Sequence, residues 1–236
     1  MKLNDPELVR RQYESEAGLA VRRDAHARFR EGPSAFESAL DAVIEARPRR
    51  VLEVGCGMGE FAECLERETS AEVVATDLSP RMVEVAKERG VDARVADVQE
   101  LPFGDGEFDC VVANAMLYHV VDLDRALGEL ARMLQPGGRL VALTIGADHM
   151  AELWELVGFT IPFRPFSREN GEEQLLRHFA RVERRDVDAA LLFPDAPAVR
   201  RYVDSTLFSD AVPRPVPEFE GPFRSRTRAT VFVAER

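Results

Sequence analysis

The stretch that decides the fold is VLEVGCGMG, residues 51–59, in which a short apolar run leads directly into glycines at positions 55, 57 and 59. The run has the length and composition of a buried strand, and residues 60–68 that follow it have helical spacing. The glycines therefore lie in a strand-to-helix turn, where the lack of side chains lets a ligand approach the backbone. We interpret this turn as a nucleotide-type binding loop, with a glycine turn that binds nothing as the alternative.

The residue at position 60 separates two classes of ligand. A dinucleotide-binding loop has the pattern G-x-G-x-x-G, and here Glu60 stands where its third glycine would be, so its carboxylate would repel a pyrophosphate. The pattern E-x-G-x-G-x-G instead resembles motif I of the class I S-adenosylmethionine (SAM)-dependent methyltransferases. This resemblance implies that a methionine zwitterion is bound at the turn. The cofactor contacts that it implies in this stretch are Glu53, Gly55, Cys56 and Gly57.

A second apolar strand ends at Asp77, 22 positions after Gly55 and close to the ~20 residues expected for a ribose-binding acid. A carboxylate can accept two hydrogen bonds from a vicinal diol, and such bonds are charge-assisted. The alternative is that Asp77 caps the next helix, but Ser79 is better placed as the cap because Pro80 follows it. We expect Asp77 to bind the ribose, with the neighbouring Leu78 as a further cofactor contact.

The ends of the next two strands complete the predicted cofactor site. Asp97 and Val98 follow the third strand, and the resemblance implies that adenine is held there, with the carboxylate accepting from the exocyclic amine and Val98 against the ring. An acidic loop residue is the alternative for Asp97. Asn114 ends the fourth strand, and the same resemblance implies that its backbone lies beside the methionine portion of the cofactor.

The candidate substrate contacts come from three separate segments. Tyr118 and His119 follow the fourth strand, Trp154 lies in an apolar and aromatic insertion over residues 147–180, and Tyr13 lies near the N-terminus. His119 is the candidate catalytic base because its unperturbed pKa of ~6.5 is near working pH, with a hydrogen-bonded structural histidine as the alternative. The aromatic residues either wall the substrate pocket or pack helices onto the sheet.

The N-terminal segment, residues 1–48, is predicted to form a helical lid. A helix over residues 5–30 begins at Asp5 and is expected to be interrupted at Gly18. Arg22 and His26 are four residues apart, so they lie on one helix face and can present donors to a carboxylate. The resemblance implies that this helix closes over the cofactor with Arg22 near the methionine carboxylate. A solvated charged face is the alternative.

The rest of the chain fits an α/β fold. Strands alternate with helices, which predicts a parallel sheet covered on both faces. The turn in LQPGGRL, residues 134–140, is also similar to the same family. The resemblance implies a Rossmann-like sheet of seven mostly parallel strands in the order 3-2-1-4-5-7-6, with residues 49–236 as the SAM-binding methyltransferase domain.

The composition of the chain argues against several classes of binding partner. A chain of 236 residues fits one domain, and a net charge of -11 argues against polyanionic partners such as nucleic acid. No apolar run is long enough to span a bilayer and the start lacks a secretory pattern, so we expect no membrane partner and a cytoplasmic location. Three cysteines without C-x-x-C or Cys/His spacing indicate neither disulfides nor a metal site.

These observations predict a SAM-dependent methyltransferase that transfers a methyl group to an O or N atom of a small-molecule acceptor. The N-P-P-Y type signature for exocyclic or amide nitrogens is absent where ANAMLY stands, residues 113–118. An RNA or protein methyltransferase and a non-catalytic SAM-binding regulatory module remain as alternatives, and Glu60 argues against a nicotinamide oxidoreductase. Whether the chain forms a homodimer stays open.

Overall fold

The computed structural model describes residues 3–236, in which β-branched strands alternate with capped, amphipathic helices. The strands are β1 Arg30–Glu31, β2 Arg50–Val54, β3 Glu72–Asp77, β4 Ala93–Val95, β5 Phe108–Asn114, β6 Leu134–Ile145, β7 Arg181–Phe193 and β8 Phe223–Glu235. The α-helices are α1 Pro6–Gln12, α2 Ala17–Phe29, α3 Ala35–Ala46, α4 Glu60–Glu68, α5 Pro80–Glu88, α6 Leu123–Met133, α7 Ala151–Leu156, α8 Gly171–Leu175 and α9 Ala196–Asp204.

All eight strands form one sheet in the order β1-β7-β8-β6-β5-β2-β3-β4. Strands β2 to β6 run parallel, and β8 inserts antiparallel between β6 and β7. The predicted order is confirmed for the seven strands β2 to β8. The predicted strand count is wrong by one, because β1 adds an eighth strand that pairs antiparallel with β7. Two residues are too few to show a strand pattern in the sequence.

Apolar residues on the two faces of the sheet form two separate cores. In β2, Leu52 faces a core that includes Leu127 and Leu130 of α6, whereas Val51 faces a core that includes Val43 of α3 and Phe61 of α4. Neighbouring strand residues point to opposite faces, so a strand buried on both faces is an unbroken apolar run. This explains why the central strands were recognisable in the sequence.

The N-terminal region contains two helices where a single interrupted helix was predicted. The break lies at residues 13–16, and Gly18 is inside α2, so the predicted interruption at Gly18 is wrong. A Cβ atom at Gly18 would lie 2.8 Å from the carbonyl oxygen of Ser205, at the end of α9. Gly18 therefore permits close packing of α2 against α9.

Helices α2, α7 and α9 share a third apolar core. It includes Ala25 of α2, Trp154 of α7, Val199 of α9 and Phe193 of β7. The predicted insertion over residues 147–180 thus holds two short helices joined by loops, and α7 packs beside the N-terminal helices. In the described part of the chain, no helix combines the length and the apolar character that a membrane crossing needs.

Candidate functional site

The carboxyl ends of the central parallel strands open into a cavity of about 1420 Å³, which α1 and α2 cover. Ligands of open α/β sheets bind at this edge because the strands there end in loops. Every site residue predicted from the sequence lines this one cavity. These residues are Tyr13, Arg22, Glu53, Gly55, Cys56, Gly57, Asp77, Leu78, Asp97, Val98, Asn114, Tyr118, His119 and Trp154. Their individual roles stay predictions.

The glycine loop has the backbone conformation that its residues permit. Gly55, Gly57 and Gly59 have φ angles of 65°, 54° and 77°, which side chains disfavour. A Cβ atom at Gly55 would lie 2.7 Å from Cγ of Met116, and one at Gly57 would lie 3.1 Å from Cδ2 of Leu19 in α2. The loop is therefore in close contact with Met116 at Gly55 and with Leu19 of α2 at Gly57.

Asp77 joins this loop to the end of β3. Its carboxylate accepts hydrogen bonds from the backbone N–H groups of Gly57, at 2.9 Å, and Ser79, at 2.8 Å. Burial raises the pKa of Asp77, and the backbone hydrogen bonds oppose that rise. Ser79 is the N-cap of α5, as predicted, and accepts from the N–H of Met82. Because a carboxylate oxygen has more than one lone pair, Asp77 can still accept from a ribose diol.

Glu53 and Asn114 supply polar atoms that lack partners within the described residues. The Glu53 side chain is 1 % exposed, and its Oε2 atom has no hydrogen-bond partner. The side-chain Oδ1 and Nδ2 atoms of Asn114 are also buried without partners. A buried polar atom without a partner costs roughly 1–3 kcal/mol. These atoms therefore fit a ligand that carries both donors and acceptors, such as the ammonium and carboxylate of a methionine group.

Burial raises the pKa of Glu53 to about 8. An unfolded glutamate titrates near ~4.3, so the folded chain binds the extra proton between these two pH values. This stabilisation is present at low pH and is lost as the pH rises toward 8.

We therefore expect the ligand-free protein to become less stable between pH 5 and 8, by up to roughly 1.4 kcal/mol per pH unit relative to Glu53→Gln. Urea unfolding of both proteins across this range measures the difference. Glu172→Gln, at an exposed position of α8, is the control and should follow the wild type. Parallel curves for wild type and Glu53→Gln would show that Glu53 is ionised in the folded chain.

The predicted adenine contacts lie at the loop after β4. Asp97 accepts hydrogen bonds from the backbone N–H of Gln99, at 2.8 Å, and from its side-chain amide, at 3.0 Å. Val98 is buried, and Leu78 is 61 % exposed at the cavity wall. Gln99 was not among the predicted residues. Its amide both holds Asp97 and accepts from the N–H of Asp122, so it fixes the loop on which the adenine contacts stand.

His119 is tied to the N-terminal segment through both ring nitrogens. Nδ1 lies 3.0 Å from the carbonyl oxygen of Leu3, which can only accept, so Nδ1 carries the proton. Nε2 therefore accepts from the hydroxyl of Tyr13, at 3.3 Å. Burial lowers the pKa of His119 to about 4, so the ring is neutral. In this arrangement neither ring nitrogen is free to take a proton from a methyl acceptor. This favours a structural role for His119 over that of a catalytic base, unless Tyr13 moves.

Several contacts hold the N-terminal helices over the cavity. The carbonyl oxygen of Tyr13 accepts from Oγ of Ser79 at 2.7 Å, and Glu16 forms an ion pair with Arg81 at 2.8 Å. Arg22 lines the cavity, while its Nη1 donates to the carbonyl oxygen of Ser205. The segment thus contacts both the cofactor end of the cavity and the end of α9.

The far end of the cavity holds groups that the sequence analysis did not assign. Arg164 and His149 line it and are both largely buried. Burial lowers the pKa of His149 to about 3, so this ring is neutral as well. Trp154 packs against Phe159 and Phe208, with ring centroids 5.6 and 5.5 Å apart, so it serves the third core as well as the cavity wall. Between residues 3 and 236 no three His, Cys, Asp or Glu side chains are grouped so that they could hold a metal ion.

Comparison with known proteins gives a family match over part of the chain. Residues 52–142 match the family model of a methyltransferase domain. A demethylmenaquinone methyltransferase of Thermus thermophilus is 43% identical over 112 residues, which are 44% of this chain and 51% of that protein. The alignment thus spans about half the length of this relative.

Two solved structures have the same fold over nearly the whole chain. A SAM-dependent methyltransferase of Thermotoga maritima, described as a possible histamine N-methyltransferase, has a TM-score of 0.62 at 22% identity and covers 95% of this chain and 98% of its own. A phosphoethanolamine N-methyltransferase of Haemonchus contortus, in complex with phosphomonomethylethanolamine and S-adenosylhomocysteine, has a TM-score of 0.66 at 18% identity, covering 100% of this chain and 60% of its own.

Proposed function

We propose that the chain, whose residues 52–142 match the family model of a methyltransferase domain, is a class I SAM-dependent methyltransferase and transfers a methyl group from SAM to an O or N atom of a small-molecule acceptor. The observation that carries this proposal is the single cavity at the strand ends. The glycine loop, Asp77 and the unpartnered polar atoms of Glu53 and Asn114 all line this cavity. These groups match the ribose and the methionine group of one cofactor molecule.

The residues present fit SAM at each part of the molecule. Asp77 can accept from the ribose hydroxyls, Asp97 and Val98 can hold the adenine, and Glu53 and Asn114 can pair with the methionine group. Bound SAM supplies an electrophilic methyl group on a sulfonium. The chain's own part is to align the acceptor with that methyl group and to exclude water, which are the main sources of acceleration in such a transfer.

The acceptor is proposed to be a small molecule because the cavity is covered by α1 and α2. A cavity of about 1420 Å³ whose walls include α1 and α2 has room for the cofactor and one small acceptor. The net charge of -11 also disfavours RNA. Two of the proteins reported above carry N-methyltransferase names, which supports an acceptor of this size.

The test is binding followed by turnover. Calorimetry should give a micromolar dissociation constant for SAM or S-adenosylhomocysteine, ~7–8 kcal/mol, and far weaker binding of NAD(H). Transfer of a labelled methyl group to a panel of hydroxyl and amine acceptors then separates an enzyme from a binding module. Tighter binding of NAD(H) would overturn the proposal, and tight SAM binding without any transfer would favour the regulatory module.

We also propose that residues 5–30 of the predicted lid segment 1–48 act as a lid over the bound cofactor, whereas α3 belongs to the core beneath the sheet. Support comes from the contacts of Tyr13 with Ser79 and of Glu16 with Arg81, which lie directly beside the ribose-binding position. Arg22 is proposed to bind the methionine carboxylate, as the resemblance implied. Such a lid excludes water from the sulfonium and must open for cofactor exchange.

If the lid closes on the cofactor, amide exchange in residues 5–30 should slow markedly when S-adenosylhomocysteine binds, because an ordered lid opens less often. Exchange in α8, which does not line the cavity, serves as the internal control. Removal of the whole segment is a poorer test, since Ala25 and Phe29 belong to the third core. Equal slowing in α8 and the lid, or no slowing at all, would contradict the lid.

A further inference from the structure

The charges that line the cavity are divided between its two ends. The carboxylates of Asp77 and Asp97 lie at the strand ends that the cofactor is proposed to occupy, together with the carboxyl group of Glu53, whose pKa burial raises to about 8. The other acidic residues of the lining are already paired with arginines, as Glu60 is with Arg23 at 3.2 Å. The end formed by the loops after β6 and by α2, α7 and α9 holds Arg164, histidines and tyrosines, together with Arg22, which already donates to the carbonyl oxygen of Ser205.

Arg164 is a buried cation that forms no ion pair among the described residues, although the charge of Glu169 acts on it from beyond ion-pair distance. It is 6 % exposed, and the only hydrogen bond of its guanidinium within residues 3–236 runs from Nη1 to the carbonyl oxygen of Gly146, at 3.0 Å. No carboxylate in that part of the chain forms an ion pair with it, and Glu169 instead accepts from the N–H of Ala147. A buried guanidinium stays charged, and burying a charge is costly unless it is paired.

Two of the cavity-lining side chains near Arg164, His149 and Tyr118, are polar but neutral. The His149 Nδ1 atom contacts the backbone of Arg228, which leaves Nε2 without a partner among the described residues. The Tyr118 hydroxyl has no hydrogen-bond partner there either, and both side chains line the cavity. These groups can add hydrogen bonds to a bound anion, but they cannot neutralise the guanidinium.

We propose that Arg164 binds an anionic group of the methyl acceptor, and that this group is a carboxylate. The proposal rests on the methyltransferase function proposed above and extends it to the class of acceptor. An arginine presents paired N–H donors that match the two oxygens of a carboxylate. One buried guanidinium balances one negative charge, which suits a carboxylate better than a phosphate dianion. A cationic cofactor at one end and an anionic acceptor at the other also attract each other.

The test uses simple probes and does not require turnover. Trp154, the only tryptophan of the chain, lies in the wall of the cavity and can report binding by its fluorescence. With S-adenosylhomocysteine present to fill the cofactor end, benzoate should bind the wild type at least about tenfold more tightly than benzamide. Phenyl phosphate is the third probe, and it should bind more weakly than benzoate.

Variants test whether Arg164 is the side chain that causes the preference for benzoate over benzamide. Arg164→Gln should bind benzoate and benzamide about equally, and Arg164→Lys should keep part of the preference. Arg168→Gln is the matched control, because the Arg168 guanidinium pairs with Asp186 at 2.9 Å and is not part of the cavity lining. It should keep the full preference.

The outcomes separate this inference from the proposed function. Equal or undetectable binding of benzoate and benzamide by the wild type would overturn the inference even if Arg164→Gln does not fold. An unchanged preference in Arg164→Gln would also overturn it, and tighter binding of phenyl phosphate would overturn the choice of a carboxylate. A clear carboxylate preference without any methyl transfer would count against the proposed function alone.

Discussion

Replacement of Gly57 by valine is expected to weaken the binding of SAM or S-adenosylhomocysteine at least about 100-fold, or roughly 2.7 kcal/mol. Gly57 has a φ angle of 54°, which costs a β-branched residue ~1–3 kcal/mol. Its N–H also donates to Asp77, so a loop that relaxes to relieve the strain loses this bond. The added side chain would stand between Leu19 and the cavity, where the cofactor is proposed to lie.

Calorimetry with S-adenosylhomocysteine measures this effect, and Gly221→Val is the matched control. Gly221 has a φ angle of 81°, and no atom lies within 4 Å of the position of an added Cβ. The control therefore carries a similar backbone strain away from the cavity. It should lose stability but keep its affinity. An unchanged affinity of Gly57→Val would show that the glycine loop is not the cofactor site.

Replacement of Asp77 by alanine should weaken cofactor binding by ~1.5–3 kcal/mol, roughly 10- to 150-fold, through loss of charge-assisted hydrogen bonds to the ribose. The variant also loses the bonds from the N–H groups of Gly57 and Ser79. Asp77→Asn keeps one acceptor oxygen and most of the side-chain shape, so its affinity should lie between those of the wild type and Asp77→Ala.

Asp109 offers the control for the structural part of this loss. Its carboxylate accepts from the backbone N–H groups of Arg49, at 2.9 Å, and Arg50, at 3.0 Å, but it does not line the cavity. Asp109→Ala should therefore lower the unfolding temperature with no change in cofactor affinity. If Asp77→Ala and Asp109→Ala bound S-adenosylhomocysteine equally well, Asp77 would be only a loop anchor.

The cofactor end of the cavity could be predicted because its signals are local. Apart from Arg22, each predicted cofactor contact lies within three residues of the last residue of a strand, and Asp77 itself ends the strand that begins at Glu72. Parallel strands bring their carboxyl ends to one edge of the sheet, so the order of the motifs along the chain was enough to place them together. The order of the strands in the sheet was predicted from the family resemblance.

The acceptor end could not be predicted because its groups come from distant segments. Arg164 lies in a loop without periodicity, and its burial depends on the packing of that loop beside the strand ends. His119 reads as a free base in sequence, but its partners Leu3 and Tyr13 are 116 and 106 positions away. Gly18 likewise reads as a helix breaker, since nothing nearby in the sequence shows the carbonyl oxygen of Ser205 that approaches it.

The short strand β1 has a consequence for the behaviour of the protein at high concentration. It pairs with Ala190 and Leu191, in the apolar part of β7, and leaves the preceding part of that strand without a partner on this side. Five of the six residues over 183–188 are charged, and Arg168 adds ion pairs there. A strand from another molecule would have to desolvate these charges, so this edge of the sheet resists the addition of strands and the aggregation that follows from it.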